Sequence, residues 1–219
     1  MLLVASRRLA QSMSLLLLPG MGADDAIYRG PWRQLPDVRF INWPEYRGET
    51  TLAQVAQRLI HEHGIVSTDI PGGSSLGGMV ALEIAAELGG HTACLLGSAL
   101  TREEVHPLLR AAEPLAELTP WKFAKLVAKM SHGRLPQSSA RADEGFLRAM
   151  CLAIKGWPGV PDAKFRIVRI HGTHDGVIRC PEDAHPVPGA GHALAWSHAE
   201  ECVALLRRHV LGETDGGGR

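Results

Sequence analysis

The stretch PGGSSLGGMVALEIAAEL, Pro71 to Leu88, crowds glycines around two serines directly ahead of an apolar helical pattern. A chain that reverses sharply from strand to helix, with its backbones in close contact, needs residues without a Cβ where it crowds itself. Gly73-Ser74-Ser75-Leu76-Gly77 supplies that spacing in the form G-x-S-x-G, in which a serine stands on a strained turn with its hydroxyl presented to solvent or pocket. The pentapeptide alone is weak, so its flanks carry weight. Ile65 to Ile70, a short β-branched run ending at a Pro-Gly-Gly break, reads as the strand before it. Met79, Leu82 and Ala86, with Val80 and Ile84 on a neighbouring face, recur at helical spacing after it. A glycine-rich crossover turn of any α/β protein would read the same way, and the rest of the chain decides between the two.

With 219 residues the chain suits one domain with a sizeable core. Its 23 basic and 23 acidic residues are interspersed, which argues against a nucleic-acid or anionic-membrane partner. Cys94, Cys151, Cys180 and Cys202 are far apart and form no C-x-x-C, so neither a disulfide framework nor a zinc knuckle is suggested and a cytoplasmic location fits best. The early "LLLL" run is too short to span a bilayer, and the arginines of MLLVASRRLAQSM follow its apolar stretch, unlike a signal peptide; Met13 is an alternative start. The glycine-rich end, residues 212–219, reads as a flexible tail.

Outward from the opening stretch, "MSLLLLPG" reads as a fully buried strand and Val38 to Trp43 as a second, broken by Pro44. Leu52, Val55, Ala56, Leu59 and Ile60 share a helical face that Gly64 ends. Thr92 to Gly97 and Phe165 to Ile170 are further strands. Residues 101–159 between them carry helical patterning, Phe123, Val127 and Met130, then Phe146, Met150 and Trp157, and read as a helical cap inserted into a core of about 14–100 and 160–211. A terminal helix follows, with Trp196, Val203, Leu206 and Val210 inward. Strands alternating with helices predict a mostly parallel sheet covered on both faces.

A serine hydroxyl needs a base to take its proton and a third group to orient that base. In a parallel sheet the C-terminal strand ends share one edge, so loops distant in sequence can meet Ser75 there. Two qualify: Asp175 in RIHGTHDGVI, just after a strand, and His192 in VPGAGHALAW, just ahead of the last helix. The order Ser75, Asp175, His192 is compatible with nucleophile, orienting acid and general base. A lone Asp in such a loop is more often a turn or cap residue, and the chain has 11 histidines, so the three segments count only jointly. Glu103 and Glu104 are an alternative source of the acid. Oxyanion donors are expected from the backbone N–H of Leu76, after the serine, and of Met21, in the Pro19-Gly20-Met21-Gly22 turn after the first strong strand.

These landmarks, LLPGMGAD, GGSSLGGMVALEIA, IHGTHDGVI and GAGHALAW, resemble those of the α/β-hydrolase superfamily from about Leu15 to Val210, and within it small bacterial hydrolases. The resemblance implies an α/β-hydrolase fold of about six strands with a small helical cap. It also implies a serine carboxylesterase working without metal or organic cofactor on a small-molecule ester or thioester. A thioesterase, an acyltransferase or hydroxynitrile-lyase-like enzyme, and a ligand receptor on a hydrolase scaffold are the alternatives. Pro19-Gly20 stands where many members have His-Gly, and Ser75 argues against the carboxylate-nucleophile chemistry found elsewhere in the superfamily. His171, His174 and Asp175 could be imagined as metal ligands, but one short loop rarely completes a coordination shell. Trp43, Tyr46, Trp121, Phe123 and Phe146 are candidate walls for an acyl chain or aromatic ester, or else they pack the cap onto the core.

Overall fold

Leu15 to Leu18 are buried on both sides, and their alternation assigns them to two cores. A computed structural model describes residues 13–111 and 143–213. In it Leu16 and Leu18 point to one face of a sheet, toward Leu52, Val55 and Leu59 of α1 (Leu52–His63) and Met79 and Leu82 of α2 (Leu76–Leu88). Leu15 and Leu17 point to the other, toward Tyr28, Trp32 and, from α6 (Ala199–His209), Cys202 and Leu206. A strand with helices on both faces has no solvent side, which explains the uninterrupted leucines. Each buried leucine contributes about 1.5–3 kcal/mol of transfer free energy.

The sheet has six strands, β1 (Leu15–Leu18), β2 (Val38–Phe40), β3 (Ile70–Ser74), β4 (Thr92–Leu96), β5 (Arg166–Gly172) and β6 (His185–Val187), in the order β2-β1-β3-β4-β5-β6. Every pairing is parallel. From β1 the chain first steps outward to β2, then returns to the other side of β1 and continues in the opposite direction. The order therefore reverses between β1 and β3, and the loops leaving their C-terminal ends part to open a crevice. Ser75 follows β3 and Met21 follows β1, so the topology alone puts both at that crevice.

Thr51 caps α1 in a reciprocal capping box with Gln54, and Gly64, at φ 58°, ends it. After α3 (Pro107–Ala111), α4 (Glu144–Gly156) starts from an Asp143 side chain that accepts from Phe146 N–H, and it buries Phe146 and Met150. The region read as a cap is thus represented by these pieces, while Trp121, Phe123, Val127 and Met130 lie outside the described residues.

Several boundaries differ from the sequence reading. The strand before the serine is Ile70–Ser74, not Ile65 to Ile70. Residues 66–69 form a turn instead, closed by the Asp69 carboxylate accepting from Val66 N–H at 3.0 Å. Pro71 is tolerated because it precedes the first β3–β4 pair, Gly72 with Cys94. The second strand stops at Phe40, Ala86 faces solvent while Ala85 is buried, and the terminal helix is broken at His198 into α5 (Leu194–Ser197) and α6. The sixth strand, His-Pro-Val, is too short to show periodicity.

Candidate active site

Ser75 occupies φ 52° and ψ −119°, a region that L-residues avoid at a cost of order 1–3 kcal/mol. The surroundings over-determine it. Its N–H donates to Leu96 O at 3.1 Å, and its carbonyl accepts from Gly78 N–H at 3.0 Å and from the buried Ser98 hydroxyl at 2.6 Å. The turn also depends on missing side chains. A methyl group on Gly73 would stand 2.5 Å from the Gly77 carbonyl carbon, and one on Gly77 would strike the Pro19 carbonyl oxygen. The two outer glycines of the pentapeptide are therefore required by backbone contact, and they press the serine turn against the loop leaving β1. In that loop Gly20 lies within van der Waals reach of the serine, since a Cβ placed on it would be 3.6 Å from Ser75 Cβ. Leu76 opens α2, so its N–H lies at the helix mouth ahead of the first intrahelical bonds.

Two further loops bring side chains to Ser75. His192 Nδ1 is 2.8 Å from Asp175 Oδ2, and its Nε2 is 2.9 Å from Ser75 Oγ. An ionised carboxylate only accepts, so Nδ1 carries the proton, Nε2 is the acceptor, and the serine hydroxyl donates to it. Asp175 is fully enclosed, its side chain 0% exposed. Burial pushes its pKa up, but the imidazole of His192 when charged, the hydrogen bonds from His171 and His192 and the N–H of Ile178 outweigh that, holding the carboxyl well below the usual carboxylate range. Oδ1 accepts from Val177 N–H at 2.8 Å and Ile178 N–H at 3.0 Å, which turns Oδ2 toward the imidazole. The three residues read from loop order are thus in contact in a single hydrogen-bonded chain.

The remaining candidates separate. Glu104 is taken up elsewhere: it binds Arg169 of β5 at 2.6 Å and accepts from Leu100 N–H at 2.9 Å. His171 lies with its Nε2 2.9 Å from Ile178 O and 3.1 Å from Asp175 Oδ2. Both neighbours are acceptors, so that nitrogen carries a proton and offers no lone pair to a metal. Trp43 donates from Nε1 to Gly20 O at 3.0 Å and packs its ring 5.3 Å from that of Phe146, with Tyr46 edge-on at 6.4 Å. These three rings line a cleft of about 290 Å³ together with Gly22, Asp24 and Asp143. Met21, in the same loop, receives the Cys151 thiol on its sulfur at 3.7 Å. Ser98 and Cys151 have no sequence signal of their own, because only the fold makes them neighbours of the site.

The comparisons with solved structures agree with this architecture. Over 91% of its length the chain matches a thermophilic esterase from Thermogutta terrifontis, covering 90% of that protein with a TM-score of 0.70 at 16% identity. The chain adopts the α/β-hydrolase fold. A second structure of this fold, an esterase from Exiguobacterium antarcticum, matches with a TM-score of 0.69 at 15% identity, covering 91% of this chain and 92% of that one. The RedJ thioesterase of the prodiginine pathway in Streptomyces coelicolor matches with a TM-score of 0.64 at 17% identity, covering 90% and 89%. No family model matches the sequence of this α/β-hydrolase-fold chain, and no curated protein matches it either. Among the described residues no helix is long and apolar enough to cross a membrane.

Proposed function

We propose that the protein is a serine hydrolase that cleaves carboxylic esters of small to medium acyl or aromatic substrates through an acyl-enzyme. The observation that carries this reading is the unbroken hydrogen-bonded chain from Ser75 Oγ through His192 to the enclosed Asp175. Ser75 Oγ attacks the acyl carbonyl while His192 Nε2 takes its proton, and Asp175 holds the Nδ1–H and balances the imidazolium that forms. The N–H groups of Leu76 and Met21 receive the oxyanion. Collapse of the tetrahedral adduct expels the alcohol, which leaves with the proton from His192. His192 then deprotonates a water that attacks the acyl-serine carbonyl, and collapse of this second adduct breaks the bond to Ser75 Oγ, releasing the carboxylic acid as His192 returns the proton to the serine oxygen.

The Trp43, Tyr46 and Phe146 cleft beside the Gly20 to Gly22 loop supplies an apolar wall for the acyl or aromatic part. Thioesters enter the same sequence of steps with a thiol as leaving group, and the likeness to a thioesterase makes them the natural second panel.

Intact-protein mass after brief exposure to a fluorophosphonate tests the proposal. One adduct is expected on the wild type and none on Ser75→Ala, whose turnover of p-nitrophenyl esters should fall by at least about 10³-fold while it remains folded. A folded wild type without adduct or ester turnover, or a Ser75→Ala variant that retains both, would sink the reading.

A further inference from the structure

Tyr28 is the least exposed tyrosine possible, at 0%, yet it sits in the loop between β1 and β2, directly after a short 3-10 turn at Asp25–Ile27. A buried phenol must find partners for its hydroxyl. It finds two, one on each strand that flanks the crevice. The hydroxyl donates to Leu18 O at 2.5 Å, and it accepts from Ser74 N–H at 3.1 Å. Burial pushes the Tyr28 phenol well up, which keeps it protonated and able to donate.

The identity of those two partners gives the contact its meaning. The β1–β3 ladder pairs Leu15 with Ile70 and advances in register to Leu18 with Gly73, and Ile70 N–H bonds Ser14 O just before it. Parallel ladders advance two residues per repeat of the bond pattern, so Gly72 N–H faces Leu16 O and Ser74 N–H faces Leu18 O. Leu18 and Ser74 therefore carry the last rung before the strands part. Beyond it one chain turns into Pro19-Gly20-Met21 and the other into Ser75-Leu76, the two backbone segments that supply the oxyanion donors in the proposed reaction. The same Leu18 carbonyl oxygen is the atom against which Gly73 and Gly77 are pressed, 2.7 Å and 2.5 Å from where their Cβ atoms would stand.

The phenol that clamps this rung is itself immobilised. Its ring lies edge-on to Trp32 at 5.3 Å and tilted on Phe40 at 5.6 Å, and Trp32 in turn donates to Ala195 O at 2.7 Å, in α5, which directly follows the loop that carries His192.

We propose that Tyr28 is a positioning residue for the oxyanion site: its hydroxyl clamps Leu18 O and Ser74 N–H and so sets the separation of the two N–H groups that receive the developing charge. The inference rests on the serine-hydrolase reading. Donors must stand at about 2.7–3.1 Å from the oxyanion, a position the ground-state carbonyl oxygen does not fill, so loosening the rung raises the barrier more than it weakens substrate binding.

Tyr28→Phe, which keeps the ring and removes only the hydroxyl, is the test, assayed as the full chain with a short-chain p-nitrophenyl ester well below its unfolding midpoint. The expected result is kcat lower by about tenfold with KM within about twofold of the wild type, and inhibition by a trifluoromethyl ketone, which mimics the oxyanion, weakened by the same factor as kcat/KM. A folded variant with wild-type kcat and ketone affinity, whatever its melting temperature, overturns the inference, as does a fall in kcat without weaker ketone binding. Should the variant not fold, ¹³Cζ-tyrosine NMR of the wild type decides. The chain has 2 tyrosines, so Tyr46→Phe assigns the Tyr28 signal, which should move when the ketone adduct forms and must stay fixed if the clamp is unconnected to the oxyanion site. A wild type inert to both ester and ketone removes the hydrolase reading and this inference together, whereas an active wild type with an indifferent Tyr28→Phe removes this inference alone.

Discussion

Ser75, after β3, and Asp175, after β5, form the two walls that flank His192, and they are held there by different means. The serine wall is backbone: a left-handed φ of 52°, two glycines pressed to carbonyl groups and a carbonyl pinned by Ser98 at 2.6 Å. The acid wall is side chain: a carboxylate with no exposure whose oxygens accept from Val177, Ile178, His171 and His192. Backbone contacts do not titrate and fail by steric shift. Side-chain contacts to an ionised group fail by loss of charge or of a proton. The two walls should therefore respond to different perturbations, pH and isosteric amides on one side, added volume on the other.

The largest effect should come from Asp175→Asn, which keeps the shape and removes the charge. An amide can present an N–H to Nδ1 and so favour the tautomer that leaves Nε2 protonated, useless as a base. The expected fall in kcat is about 10⁴-fold with the fold intact, measured by ester turnover and circular dichroism. The same substitution has a signature in stability. Asp175 is held below the usual carboxylate range, so folding favours its ionised form. That contribution is complete above the unfolded-state value of about 3.9 and is lost as pH falls from there toward the folded pKa. Urea midpoints of the wild type should drop more steeply than those of Asp175→Asn between about pH 4 and pH 2.5. Equal slopes would mean that the carboxylate is not the charged centre of its wall.

Gly73→Ala attacks the other wall and should have the next largest effect. The added methyl would meet the Gly77 carbonyl carbon at 2.5 Å and the Leu18 and Gly77 oxygens at 2.7 Å, all backbone, so the turn itself must move. Overpacking of this kind costs about 1–3 kcal/mol, and a shift of about 1 Å in a reacting group costs about 10²-fold in rate. Both losses should be independent of pH. A Gly73→Ala enzyme with wild-type kcat would show that the serine wall tolerates displacement, and the contrast between the walls would fail.

The difference between the walls also explains what could be read before folding. Crowded backbone leaves glycines in fixed order, so the Ser75 turn was visible in Gly73 and Gly77; Asp175 was visible just after a strand and His192 in a glycine-rich turn just ahead of the last helix, in that chain order. The contacts that hold them were not. Tyr28, Ser98 and His171 act through partners 46, 23 and 4 to 7 positions away. No local pattern ties a tyrosine in a short loop to the last rung of a ladder. The strand itself was displaced for the same reason. Ile-Pro-Gly-Gly-Ser violates strand propensity, yet close approach of Cys94, of Gly77 and of Leu18 at the end of β1 selects glycine there, while the better β-former at Ile65 and Val66 leads into a turn.

The smallest effect on turnover should come from Glu104→Gln, and it bears on whether the acid wall has one carboxylate or two. Glu104 follows the neighbouring strand β4 and could by sequence have served His192. In the folded chain its oxygens accept from Arg169 at 2.6 and 3.0 Å and from Leu100 N–H at 2.9 Å. Arg169 is buried, at 3% exposure, with Asp183 as its other carboxylate partner at 3.2 Å. Removing the Glu104 charge weakens a charge-assisted pair, so the variant should lose about 1–3 kcal/mol of stability. The Asp175 network receives none of its donors from Glu104, so kcat should stay within about twofold of the wild type at a temperature where the variant is folded. Stability lost with turnover kept would make Glu104 a strut for the Leu100 to Glu104 segment; turnover lost by about 10³-fold or more would transfer the acid from Asp175 to Glu104.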